Sequence, residues 1–114
     1  MRFSVQQIKY EFLYAMKEFD SDGTQWEVTT SPLPPAETLT LMGYAADDFI
    51  YLGKPAGTAR AAGIVKAFFM QRFQVVDAPS PDAGGGGEWV IIFRSKQSLP
   101  NEANLLEPVA SAKG

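Results

Sequence analysis

The side chains that carry most enzymatic chemistry are missing from this chain, which has no histidine and no cysteine. That excludes imidazole acid–base catalysis, thiolate nucleophiles, disulfides and the commonest transition-metal ligands together. Any reaction would have to rest on Asp, Glu, Lys, Arg or Tyr, and no pair of these stands at a spacing that predicts convergence. A G-x-S-x-G nucleophile segment is also absent. No catalytic residue, metal site or cofactor is assigned, and the chain is read as a non-enzyme.

Several short segments hold residue types that binding chemistry uses. Asp20-Ser21-Asp22-Gly23 sets carboxylates at alternate positions beside a glycine, as a calcium loop does. Such a loop needs glycine at its sixth position and glutamate at its twelfth, where this chain has Gln25 and Ser31, so a helix-stopping turn is the better account. Asp47 and Asp48 are adjacent and diverge on either a strand or a helix, which makes them solvated turn residues rather than a dyad.

Pro32-Leu33-Pro34-Pro35 contains a P-x-x-P core whose preformed polyproline II shape fits an aromatic groove, or serves simply as a rigid connector. Just before it, Trp26 and Val28 share one face of an alternating run. Trp26, Val28, Pro32, Leu33 and Pro35 are therefore the candidate partner contacts, because aromatic anchors in a polar rim dominate interfaces. Membership of the core is the alternative for Trp26 and Val28.

Gly53-Lys54-Pro55-Ala56-Gly57-Thr58 precedes a helix and could present backbone N–H groups to phosphate, although the P-loop order is absent and Thr58 as a plain N-cap suffices. Lys54, Arg60, Lys66 and Arg72 follow with no acid among them. Lys54, Thr58, Arg60, Lys66 and Arg72 form the candidate anion-binding set. Helical geometry weakens it, since Arg60, Lys66 and Arg72 lie about 120° apart around the axis.

The elements that must position these residues follow from periodicity. Ser4 and Gln7 read as a capping box, Phe3 and Ile8 as a hydrophobic staple, and the stripe Val5, Ile8, Phe12, Ala15, Met16, Phe19 as a helix reaching about Phe19. Thr24 to Thr30 alternates as a half-exposed strand ended by prolines. Thr38 to Met42 reads as a strand by its Leu–Thr alternation, although Pro35-Ala36-Glu37 also fits a first helical turn. Phe49 to Leu52 reads as an interior strand. Thr58 caps a second helix with an apolar face of Ala61, Ile64, Val65, Phe68 and Phe69. Phe73 to Asp77 and Glu88 to Arg94 read as two antiparallel strands about a long Gly84–Gly87 loop, the second of them central. A parallel βαβ arrangement around the second helix is the other topology.

The fold class expected is α+β: a small antiparallel sheet of four to five strands with two main helices packed mainly on one face. At 114 residues with 46% hydrophobic side chains, one domain over residues 1–96 accounts for the core, and residues 97–114 form a tail or short docking helix. Net charge is −3, split as three basic and eight acidic residues up to Gly53, then seven basic and five acidic. No apolar run is long enough to span a membrane, the start lacks a signal peptide's layout, and a cytoplasmic location is expected.

The function expected is a small protein-binding module of inhibitor, immunity, adaptor or secretion-chaperone type, acting by occupying a partner surface. A structural subunit of a phage or other assembly is the alternative, and nucleic-acid or anion binding through residues 54–72 is a third. Another protein is the expected partner, with homo-oligomers compatible. Nucleic acid is disfavoured by charge, and no membrane is involved.

Overall fold

The computed structural model describes residues 3–19, 22–81 and 87–96. Helix α1 (Val5–Glu18) starts at the expected capping box: the Ser4 hydroxyl accepts from the Gln7 N–H at 3.1 Å, and the Gln7 side chain accepts from the Ser4 N–H at 2.9 Å. Its four-residue steps bury Ile8, Phe12 and Met16. After a 3₁₀ turn at Gly23–Gln25 come β1 (Glu27–Ser31), α2 (Pro35–Leu41), a second 3₁₀ turn at Ala46–Asp48, β2 (Phe49–Pro55), α3 (Ala59–Phe73), β3 (Val76–Asp77) and β4 (Trp89–Ser95). Among the described residues no helix is long and apolar enough to cross a membrane.

The four strands form one sheet in the order β2-β4-β1-β3. β4 runs antiparallel to both neighbours, while the two-residue β3 pairs in parallel with β1. The fold is thus α+β, with α1 and α3 together on one face. β4 is central, as its continuous apolar run required. β2 is an edge strand rather than an interior one. β3 does not form a hairpin with β4 but lies on the far side of β1, so the parallel β2-α3-β3 crossover is the arrangement adopted.

Handedness explains why α2 lies apart from the other helices. The β1-to-β2 connection crosses the sheet in one direction and the β2-to-β3 connection returns in the other. Parallel crossovers keep one hand, so opposite directions demand opposite faces. α3 takes one face and α2 is left the other.

Each face has its own core. Ile8, Phe12 and Met16 of α1 and Ala62, Val65 and Phe69 of α3 pack with Trp26, Val28, Val90 and Ile92 of the sheet. Arg94 continues the same face of β4, buried beneath the Trp26 ring at 5.7 Å, with its Nη1 donating to the Phe19 carbonyl at 3.4 Å. Leu39 of α2 packs with Ile91, Phe93 and Ala78 on the second face, where Met42, Phe49 and Trp89 close around them. Fully burying such side chains contributes about 1.5–3 kcal/mol each.

Candidate functional site

The second face is built by a chain of local constraints that starts where β1 ends. Ser31 Oγ accepts from the Leu33 N–H at 3.0 Å, turning the chain into the proline segment. Thr38 Oγ1 lies 2.8 Å from Ser31 Oγ and donates to the Leu33 carbonyl at 2.9 Å. Thr38 has a single hydroxyl proton, so the proton between the two hydroxyls comes from Ser31, closing a small ring of hydrogen bonds under α2. Pro35 opens α2 at its first position, where a missing N–H costs nothing. Its ring lies over Gly53 of β2, where a Cβ would collide with Pro35 Cγ.

Helix α2 then buries Thr38 and Leu39 and turns Ala36, Glu37, Thr40 and Leu41 outward. A Schellman motif ends it: Gly43, at φ +93°, donates its N–H to the Thr40 carbonyl at 3.0 Å, and the Tyr44 N–H reaches the Leu39 carbonyl at 2.9 Å. That turn lays the Tyr44 ring against Phe49 at 4.9 Å and Phe93 at 6.0 Å. Tyr51, opposite Phe93 in the β2–β4 register, extends the aromatic strip along the sheet edge.

The result is an apolar surface with an acidic rim. Leu41 is 58% exposed, Tyr44 37% and Tyr51 38%. Beside them Leu33, Ala36, Glu37, Thr40 and Leu41 line a shallow open concavity of about 440 Å³. The charged residues between Pro32 and Gly53 are Glu37, Asp47 and Asp48, all exposed. At the far end of β1, burial holds the Glu27 carboxyl above its ordinary value of 4.5.

The structure divides the expected partner contacts. Trp26 is 1% exposed and Val28 fully buried, so both belong to the core and offer a partner no surface. Their strand reads as half-exposed because Gln25, Glu27 and Thr29 alternate with them, yet Thr29 is fully buried on the second face. Pro32 is exposed, Leu33 is half-buried at the edge of the concavity, and Pro35 is half-buried where the start of α2 meets Gly53 of β2.

The expected anion-binding residues are largely engaged inside the molecule. Lys54 pairs with Glu11 at 3.5 Å and lies over the Phe3 ring, and Lys66 pairs with Asp77 at 2.7 Å. Thr58 caps α3 by accepting from the Ala61 N–H at 3.0 Å. Arg72 leans on the Phe68 ring, and Arg60 is exposed at the other end of α3. These contacts do not gather the set around one point.

Of the calcium-like segment, Asp20 and Ser21 lie outside the described residues. Asp22 caps the first 3₁₀ turn, its carboxylate accepting from the Thr24 N–H at 3.0 Å. That backbone hydrogen bond, with help from the Thr24 side chain and Arg94, holds Asp22 below its ordinary 3.8. The Gly84–Gly87 loop except Gly87, and the tail from residue 97, also lie outside the described residues.

Sequence reasoning missed Leu41, Tyr44 and Tyr51, and with them the charge pattern of the second face. The signal was present: from Glu18 to Gly53 the chain has seven acidic residues and no lysine or arginine. Compared with protein families, characterised proteins and solved structures, the chain matches none of them.

Proposed function

We propose that this protein is a binding module whose α2 face takes a basic, apolar segment of a partner protein. One observation carries the reading: Leu41, Tyr44 and Tyr51 remain exposed on a face whose only exposed charges from Pro32 to Gly53 are carboxylates. Aromatic and aliphatic groups supply the desolvated centre of an interface, and a single-signed rim supplies orientation and encounter rate. A partner leucine or similar side chain fits the concavity beside Leu33 and Leu41, with flanking lysine or arginine facing Glu37, Asp47 and Asp48.

The absence of histidine and cysteine supports binding rather than catalysis as the role. The test is a comparison of wild type with Leu41→Gln for binding of a synthetic peptide that alternates leucine and lysine. Leu41 is outward-facing, so the variant keeps its fold and loses at least about tenfold in affinity. Equal binding by both proteins refutes the reading.

A further inference from the structure

The opposite side of the sheet carries the complementary pattern. On α1, Lys9 places its Nζ 4.1 Å from the centre of the Phe68 ring, and on α3, Arg72 places its guanidinium carbon 5.7 Å from the same ring. Phe73, 37% exposed, packs on Phe68 at 5.8 Å, and Ile64, 46% exposed, sits one helical turn before it. Lys9 and Arg72 form no ion pair among the described residues, whereas Lys54 and Lys66 are taken by Glu11 and Asp77. A guanidinium stacked on a ring keeps its edge N–H groups free for a carboxylate.

We propose that the occupant of the α2 face is a second copy of this chain, presenting the patch of Lys9, Ile64, Phe68, Arg72 and Phe73. The proposal rests on the reading of the α2 face given above and names its partner. Each patch combines apolar or aromatic groups with charges that form no ion pair among the described residues, carboxylates on one and cations on the other. Pairing like with like would set Glu37, Asp47 and Asp48 against their own copies, or Lys9 and Arg72 against theirs, and such juxtaposition is repulsive. Only the head-to-tail contact is attractive. Because the two patches lie on opposite faces of one sheet, each docked copy still offers one free patch, and association continues past the dimer.

Sedimentation velocity over a concentration series tests this, at about 50 mM and about 500 mM salt, where screening differs strongly. The wild type sediments progressively faster with concentration at low salt, passes the dimer without a plateau, and returns toward monomer at high salt. Two variants separate the faces: Glu37→Gln with Asp48→Asn, and Lys9→Gln with Arg72→Gln, each checked for an unchanged thermal transition. Either variant alone needs at least about tenfold more protein to associate, because every contact uses one patch of each kind. Mixed in equal amounts they form a dimer that grows no further.

A wild type that stays monomeric at low salt, a dimer that saturates, or a mixture that stays monomeric overturns the proposal. If the monomeric wild type still binds the leucine–lysine peptide, the second copy is wrong and the α2 face stands. If it binds neither, both fall.

Discussion

Ser31 and Thr38, seven residues apart and both fully buried, bring their hydroxyl oxygens to 2.8 Å and pin the start of α2 to the end of β1. Thr38→Val keeps the side chain's shape but leaves the Ser31 hydroxyl and the Leu33 carbonyl without their partner. Leaving buried polar groups unmatched costs about 1–3 kcal/mol, read as a lower urea midpoint at unchanged slope. Ser31→Ala combined with Thr38→Val costs less than the sum of the single changes, because the two side chains belong to one ring of hydrogen bonds.

Two glycines separate close approach from free space. At Gly53 a Cβ would collide with Pro35 Cγ and stand 3.0 Å from Ile91 Cγ1, whereas at Gly63, inside α3, it meets nothing within 4 Å. Gly53→Ala is expected to destabilise by about 1–3 kcal/mol and to weaken peptide binding as well, since Pro35 must shift and carry α2 with it. Gly63→Ala is expected to stabilise by about 0.5–1 kcal/mol through the lower entropy of the unfolded chain. Thermal and urea unfolding of both variants checks the contrast.

The two shifted carboxyls give opposite slopes of stability against pH. Glu27 holds its proton more tightly when folded, so stability falls as pH rises from its ordinary 4.5 through the folded value. Asp22 holds its proton less tightly when folded, so its contribution is present above 3.8 and is lost as pH falls below that. Glu27→Gln removes the loss on the alkaline side and leaves the acid limb unchanged. Urea midpoints across a pH series, wild type against variant, show the two curves diverging above 4.5 and meeting below it.

What was legible in the sequence is what local chemistry decides. The Ser4–Gln7 box, the α1 stripe, the Thr58 cap and the central position of β4 all followed from side chains within a few residues of one another. What was not legible depended on distant partners. Thr29 reads as solvent-facing because it alternates with Trp26 and Val28, and only the packing of distant segments on the second face buries it. Leu39 and Leu41 read as strand alternation, but with Pro35 at the helix start one is buried and the other exposed. The edge position of β2, which leaves Tyr51 at the margin of the second face, is set by the strand order of the whole sheet rather than by any property of Phe49 to Leu52. Trp26 reads as a surface anchor or as a core residue alike, because an aromatic at the start of a polar strand has the same composition whether it faces a partner or its own helices.

The central claim is that the α2 face binds basic, apolar segments. It is tested most directly by titrating the isotope-labelled protein with two synthetic peptides that share their leucines and differ only in carrying lysine or glutamate between them. The account predicts amide shifts concentrated between Pro32 and Leu52 with the lysine peptide, weakened by added salt, and none in that segment with the glutamate peptide. Equal shifts of that segment with both peptides, or an α2 face silent to the lysine peptide, would contradict it.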